Sequence, residues 1–311
     1  MENVVPLRDV SFNPEDFKAK TSSFRYPFVL DGTEQSTGSV RWLVKNLLIS
    51  GGMSVVYGPP KSGKSFVSQD IAYRTAHGLD FFGRKTSQGL VVYLCGEGAA
   101  GFRQRMTAWR KINDMAPSRN FVMMPAALDI VSDDDAIAAL ISDLKTLSAA
   151  LATPICMIVV DTLARYFGPH DEDRAADMSK FVTSLSRIQD ALERQFNVRP
   201  HMMLVHHTGK DVAKGMRGSN ALLGAADCTI EVTTKGTDGV RQARVVDIKD
   251  AAPADPMFFK LKSTAVGVDE DGETEFSCAV EATTIEITAT IASTDAPAAK
   301  RGRGRPRKDA A

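Results

Sequence analysis

Short apolar runs alternate with segments of helical periodicity along the middle of the chain. Four runs predict buried strands: residues 53–58, 89–98, 155–161 and 201–207. Between them apolar residues recur every three or four positions, as at Val67 and Ile71 and again at Phe181, Leu185 and Ile188, which predicts helices. Apolar strands separated by helices are typical of a parallel sheet that is covered on both faces. The pattern therefore predicts an α/β fold.

The pattern changes near residue 226, where apolar and polar residues begin to alternate, as in VRQARVVDIKD and EFSCAVEATTIEITAT. Such alternation predicts antiparallel hairpins, which we expect to extend one edge of the sheet. Both ends of the chain are polar or low in large apolar residues. The predicted organisation is an N-terminal arm at 1–37, an α/β domain at 38–292 and a disordered basic tail at 293–311.

The charge of the chain is unevenly distributed. The whole chain has 38 Lys and Arg and 38 Asp and Glu, but six of the cations lie between Lys300 and Asp309. Without those ten residues the formal charge is about −5, because Lys and Arg fall to 32 and Asp and Glu to 37. The body is thus not a generally basic nucleic-acid binder, and any contact with DNA must come from local features.

The cysteines and the apolar runs favour a cytoplasmic protein. The four cysteines are far apart and form no C-x-x-C pair, so they predict free thiols in a reducing compartment rather than a zinc site. The first residues lack the basic and apolar regions of a signal peptide. No run approaches the eighteen or so apolar residues that would span a bilayer, so no membrane partner is expected.

A phosphate-binding motif follows the first predicted strand. The segment GPPKSGKS fits G-x-x-x-x-G-K-[ST], and it stands between a strand and a helix as that motif requires. Lys64 would reach the β- and γ-phosphates, and the Ser65 hydroxyl would bind Mg²⁺. The loop predicts a site for ATP and Mg²⁺ rather than a simple Gly/Pro turn. Its residues are Gly58, Pro59, Pro60, Lys61, Ser62, Gly63, Lys64 and Ser65.

Polar residues also close the other predicted strands, at the edge where open α/β sheets bind ligands. Asp161 suits a Walker B carboxylate that holds Mg²⁺ partly through water, although an Asp at a strand end can also be a turn residue. Glu97 could polarise the attacking water, or it could cap a helix. His206 and His207 are adjacent on one strand, so only one of them can face the site and the other should pack in the core.

The order of these blocks resembles a known family. GPPKSGKS, LCGEG, IVVDT, LVHHTGK and RGSN occur in the order found in RecA-like ATPases of the RepA type, the hexameric helicase ATPases of plasmids and phages that are related to the DnaB group. The resemblance covers about residues 38–262. It implies a RecA-like P-loop NTPase core with a mostly parallel sheet, helices on both faces and antiparallel hairpins at one edge.

The resemblance also implies roles for individual residues. Glu97 becomes the catalytic base, Asp161 the Walker B residue and His207 the γ-phosphate sensor. Arg217 matches the arginine finger that reaches the γ-phosphate bound by the neighbouring subunit in a homo-oligomeric ring. The alternative is that Arg217 is a loop arginine exposed to water. Lys249 corresponds to the lysine of a Lys-x-Arg pair that relatives in the DnaB group carry on a later strand, so the resemblance implies that it binds the nucleotide. No arginine follows it here, so either Lys249 acts alone or Arg217 takes this role. Arg105 falls where the family has an arginine near the site.

Two cationic segments are candidates for DNA contact. Lys210 and Lys214 lie in the loop after the fourth strand, which faces the channel in RecA-like rings, and could bind single-stranded DNA. The tail residues Arg303, Arg305 and Arg307 flank glycine and proline as in an AT-hook, whose arginines enter the narrow minor groove of A·T-rich duplex DNA. Solvated cations are the alternative for both segments.

The functional expectation is an ATP-dependent DNA motor, namely a ring-shaped replicative-type helicase that hydrolyses ATP at subunit interfaces and translocates on single-stranded DNA. One alternative is a RecA/RadB-like recombination or strand-annealing ATPase that binds DNA without processive unwinding. A P-loop small-molecule kinase is a third possibility, but it predicts an arginine-rich lid, and the sequence has no such segment.

Overall fold

The computed structural model describes residues 40–208, 220–236, 238–252 and 255–284, called the described residues from here on. In chain order their strands are β1 (Trp42–Val44), β2 (Leu48–Ile49), β3 (Met53–Gly58), β4 (Leu90–Cys95), β5 (Phe121–Met124), β6 (Ile155–Asp161), β7 (His201–His207), β8 (Cys228–Lys235), β9 (Val240–Ile248), β10 (Met257–Val268) and β11 (Thr274–Thr283). The helices are α1 (Lys64–His77), α2 (Ala99–Asn113), α3 (Asp134–Ala150), α4 (Leu163–Tyr166), α5 (Ala175–Phe196) and α6 (Asn220–Ala225). The predicted arm at 1–37 and tail at 293–311 lie outside these residues.

Nine of these strands form one sheet in the order β11-β10-β9-β8-β3-β7-β6-β4-β5, and β1 pairs with β2 separately. From β8 to β5 every pair is parallel, whereas β8 to β11 pair antiparallel. The predicted fold class is confirmed. All six residues of β3 and of β4 are buried, which explains why these strands are apolar throughout.

The core consists of one apolar cluster on each face of the parallel sheet. On one face α1 and α2 cover the sheet, and Tyr73 of α1 stacks between Trp109 and Phe121 at ring-centroid distances of 4.6 and 4.1 Å. On the other face α3 and α5 bury residues such as Leu140 and Phe181. The helices thereby fix both layers around the strands whose carboxyl ends carry the candidate site.

The antiparallel strands fold over α2. Gln104 of α2 donates a hydrogen bond from Nε2 to Glu275 Oε1 of β11 at 2.8 Å, and Lys111 Nζ donates to the carbonyl of Ala265 on β10 at 2.9 Å. This arrangement places the hairpins beside the helix layer that borders the P-loop. Among the described residues, none of the helices combines the length and the apolar composition that a membrane span requires.

A buried histidine makes the stability of this fold depend on pH. His201 is fully buried; its Nδ1–H donates to the carbonyl of Ile49 at 2.8 Å, and its Nε2 accepts from the Ser54 hydroxyl at 2.8 Å. Burial lowers the pKa of His201 to about 4, although the carbonyl of Ile49 and the charge of Asp227 act in the opposite direction. The folded protein therefore keeps this imidazole neutral.

Because the unfolded chain takes up this proton near pH 6.5 and the folded protein does not until about pH 4, stability is full above pH 6.5 and falls as the pH drops towards 4. The loss from this histidine between pH 7 and pH 5 should be about 2 kcal/mol. Urea unfolding at both pH values should show a smaller pH effect for His201→Gln than for the wild type. An equal pH effect in both proteins would exclude His201 as the cause.

Candidate active site

The P-loop connects the carboxyl end of β3 to α1 and is tightly enclosed. A Cβ atom on Gly58 would lie 2.1 Å from the carbonyl oxygen of Val232 on the adjacent strand, so only glycine fits there. Gly63 has a φ of 104°, which also favours glycine. Lys61 has a φ of 63° and lies exposed at the rim of the loop. The two glycines thus let the chain turn and present backbone N–H groups to an anion.

The P-loop lysine is held inside the loop. Lys64 is buried, and its Nζ donates a hydrogen bond to the carbonyl of Pro59 at 2.9 Å. Burial lowers the pKa of Lys64 to about 8, and the nearby Asp161 partly opposes this shift. A bound phosphate would supply the negative charge that the carbonyl does not, so the arrangement favours a polyanionic ligand.

A serine and an aspartate form a site suited to Mg²⁺. Ser65 Oγ donates a hydrogen bond to Asp161 Oδ1 at 3.2 Å, and Tyr93 donates one from its hydroxyl to Asp161 Oδ2 at 2.6 Å. Burial raises the pKa of Asp161, whereas the hydrogen bonds from Tyr93 and Ser65 and the charge of Arg105 lower it. One hydroxyl and one carboxylate are the usual protein ligands where phosphate and water complete the Mg²⁺ shell, so these residues fit the metal.

Glu97 extends into the same cleft from the loop after β4. Its side chain is exposed, and the loop is held by a hydrogen bond from Arg165 Nε to the carbonyl of Gly96 at 3.2 Å. The cap of α2 is Gly98, with no side-chain hydrogen bond, so Glu97 does not cap this helix. Exposure keeps its carboxylate accessible to a water molecule, as a general base requires.

The two histidines at the end of β7 occupy different environments. His206 is buried in the protein, whereas His207 is half-buried and lines the cleft. Burial, followed by the charge of Lys64, lowers the pKa of His207, so its imidazole is neutral at physiological pH. Within the described part of the chain, His207 Nδ1 is buried without a hydrogen-bond partner. A neutral imidazole here could donate a hydrogen bond from its N–H to an oxygen of a terminal phosphate.

Lys64, Ser65, Glu97 and His207 line one cleft of about 310 Å³, and Asp161 is joined to it by its hydrogen bond with Ser65. Three residues at this cleft were not predicted from the sequence, namely Phe66 and Thr162 in its lining and Tyr93 beneath it. Arg105 lies over the Phe66 ring, with its Cζ atom 4.9 Å from the centroid. Phe66 directly follows Ser65 and Thr162 directly follows Asp161, so their places beside motif residues could have indicated that they line the site. The complete lining is Lys61, Gly63, Lys64, Ser65, Phe66, Glu97, Arg105, Thr162 and His207.

Lys249 does not join this cleft in its own chain. Its Nζ lies 3.1 Å from Asp227 Oδ1, and Asp227 Oδ2 accepts a hydrogen bond from the backbone N–H of Met53 at 2.9 Å. Met53 begins β3 and Gly58 ends it, so Lys249 and the P-loop lie at opposite ends of the parallel strands. The expectation that Lys249 binds nucleotide is therefore not met within one chain.

Several predicted residues fall outside the described residues, so the structure does not bear on their roles. They are Lys210, Lys214, Arg217, Arg303, Arg305 and Arg307. All four cysteines are free thiols. Across the described ranges, no group of three or more His, Cys, Asp and Glu side chains could hold a metal ion. Mg²⁺ at Ser65 and Asp161 would accordingly depend on oxygens from the nucleotide and water.

The chain is similar in sequence to a known family and in structure to a solved protein. A family profile described as an AAA domain matches residues 19–213, more than half of the chain. No curated protein matches the chain. The crystal structure of a KaiC-like protein from the hyperthermophilic archaeon Pyrococcus horikoshii OT3 is similar with a TM-score of 0.48 and 11% sequence identity, over 78% of this chain and 100% of that chain. This last likeness carries no inference about function.

Proposed function

The chain belongs to the AAA domain family, and from this premise we propose that it is a ring-forming ATPase that couples ATP hydrolysis to movement along single-stranded DNA. The observation that carries the ATPase part is the convergence of Lys64, the Ser65–Asp161 pair, Glu97 and His207 at one edge of the sheet. Each of these groups meets a separate need of phosphoryl transfer to water.

The chemistry follows from the charges of the cleft. The P-loop N–H groups and Lys64 would bind the β- and γ-phosphates, and bound Mg²⁺ would neutralise part of their charge. Glu97 would orient a water molecule and accept its proton as the water oxygen attacks the γ-phosphorus. His207 would donate a hydrogen bond to the γ-phosphate and report its loss to the loop that follows β7.

The assembly and DNA parts of the proposal rest on the sequence resemblance. Arg217 is the proposed finger that completes the neighbour's site. Lys249, which pairs with Asp227 at the opposite end of the parallel strands, has a partly exposed amine and is proposed to approach a neighbouring subunit. Lys210 and Lys214 are the proposed contacts to single-stranded DNA, and the tail arginines are proposed to tether duplex DNA. In a ring, one or two cations per subunit suffice, because every subunit contributes them.

The proposal predicts that single-stranded DNA stimulates ATP hydrolysis several-fold, and that stimulation weakens as salt rises because the contacts are ionic. Phosphate release should be measured with and without an oligonucleotide, with Lys64→Ala as the blank. A Lys210→Ala/Lys214→Ala variant should keep the basal rate and lose stimulation. Hydrolysis that is equal with and without DNA would refute the DNA-motor part and leave an ATPase with another client.

The RecA/RadB-like alternative makes a different prediction on a forked duplex. A helicase separates the strands only when ATP is hydrolysed, whereas a recombination or annealing ATPase pairs complementary strands and leaves the fork closed. A strand-displacement assay on a fork, run beside an annealing assay on the same strands, distinguishes the two. Glu97→Gln serves as the hydrolysis-deficient control in both assays.

A further inference from the structure

Tyr93 lies beneath the cleft on the same face of the sheet as Asp161. In the parallel pairing of β4 with β6, Cys95 is opposite Asp161 and Tyr93 is opposite Val159, so Tyr93 is the diagonal neighbour of the aspartate. Aromatic side chains are long enough to reach diagonal positions across a sheet. The Tyr93 hydroxyl accordingly lies 2.6 Å from Asp161 Oδ2.

The Tyr93 ring is fixed by its neighbours. It is fully buried, with the Phe102 ring centroid 4.5 Å away and the Phe121 centroid 6.2 Å away. Close packing of this kind restricts a side chain to one rotamer. The hydroxyl therefore has a fixed position relative to β6, and through it the Asp161 carboxylate acquires a fixed orientation.

The two oxygens of Asp161 have different partners. Oδ2 accepts from Tyr93, while Oδ1 accepts from Ser65, the P-loop residue that fits Mg²⁺. With one oxygen held from below, the other is presented to the P-loop hydroxyl and to the space where phosphate and water would complete a metal shell. Hydrogen bonds that orient ligands in this way typically change metal affinity or activity by 10–100-fold.

We propose that Tyr93 is a positioning residue for the Mg²⁺ site, acting through Asp161 on metal binding to the nucleotide-bound protein. The inference rests on the proposed ATPase function. The competing explanation is that a buried tyrosine merely satisfies its hydroxyl on the nearest acceptor. The two explanations differ in one respect: only a positioning role makes the effect of the hydroxyl specific to the metal.

Tyr166 provides a matched control. It is also fully buried, and its hydroxyl donates to the carbonyl of Ala126 at 2.6 Å instead of to a carboxylate. Tyr93→Phe and Tyr166→Phe each remove one buried hydroxyl, and the two hydrogen bonds that are lost have the same length, 2.6 Å. The experiment measures Mn²⁺ binding to the ADP-bound full chain by electron paramagnetic resonance, ADP affinity in EDTA, and the melting temperature of each protein.

We expect Tyr93→Phe to weaken Mn²⁺ binding by about 10-fold or more relative to Tyr166→Phe, with ADP affinity in EDTA unchanged. In an Asp161→Asn background, Tyr93→Phe should have no further effect on Mn²⁺ binding, because the residue acts through the carboxylate. Equal Mn²⁺ affinity in the two Phe variants would overturn the positioning role alone. Failure of the wild-type protein to bind ADP or Mn²⁺ would overturn the proposed function as well.

Discussion

Glu97→Gln is expected to lower the rate of ATP hydrolysis by about 10²–10⁴-fold and to leave ATP affinity unchanged. The amide keeps the size of the side chain but cannot accept the proton of the attacking water. Because Glu97 is exposed in the cleft and no hydrogen bond of its side chain caps α2, the substitution should not disturb the fold. Single-turnover phosphate release and equilibrium binding of ATP measure the two effects separately.

The control for this prediction is Glu270→Gln, which removes an exposed carboxylate in the turn between β10 and β11. Its hydrolysis rate should equal that of the wild type. If Glu97→Gln retained more than about a tenth of the wild-type rate, another group would be the base, since general-base catalysis typically contributes at least 10²-fold. If instead it lost ATP binding, Glu97 would be a structural or nucleotide-contacting residue.

Lys64→Ala is expected to reduce hydrolysis by at least about 10²-fold and also to weaken ATP binding. The ammonium group is buried within the P-loop, and burial lowers the pKa of Lys64 to about 8 although the charge of Asp161 acts in the opposite direction, so a bound phosphate would stabilise its charged form. Because burying this ammonium group is unfavourable, its removal should not destabilise the nucleotide-free protein. Isothermal titration with ATP and a melting curve without nucleotide test both statements.

Lys85→Ala, which removes an exposed lysine outside the cleft, is the matched charge control and should behave like the wild type. A Lys64→Ala protein that bound ATP normally and hydrolysed it at a normal rate would show that the cleft is not the catalytic site. A large fall in its melting temperature without nucleotide would mean that the lysine stabilises the loop, contrary to the expectation from its burial.

The sequence predicted the elements whose environment is uniform. The strands β3, β6 and β7 were predicted with their observed bounds, because burial on both faces requires an unbroken apolar run. In contrast, β5 has four residues, three of them only partly buried, and such a short run carries no distinctive pattern. The P-loop and the residues closing each strand were also predictable, since parallel strands bring their carboxyl ends to one edge.

What the sequence could not predict depends on partners that are distant in the chain. The contact of Tyr93 with Asp161 requires the register of β4 against β6, which no local pattern specifies. Lys249 was expected near nucleotide, but β9 runs antiparallel to β8 and pairs Ile248 with Cys228, which returns the chain to the opposite end of the parallel strands. Lys249 therefore lies near the start of β3, whereas the P-loop follows the end of that strand.

Hydrolysis of ATP in this cleft can be measured as steady-state phosphate release from the full chain with ATP and Mg²⁺. The same measurement in excess EDTA removes the metal, and Glu97→Gln provides the blank. We expect phosphate release with Mg²⁺ that exceeds both controls and rises when single-stranded DNA is added. Release no greater than that of Glu97→Gln, with and without DNA, by a protein that binds ATP would contradict the account and leave a nucleotide-binding protein without hydrolytic activity.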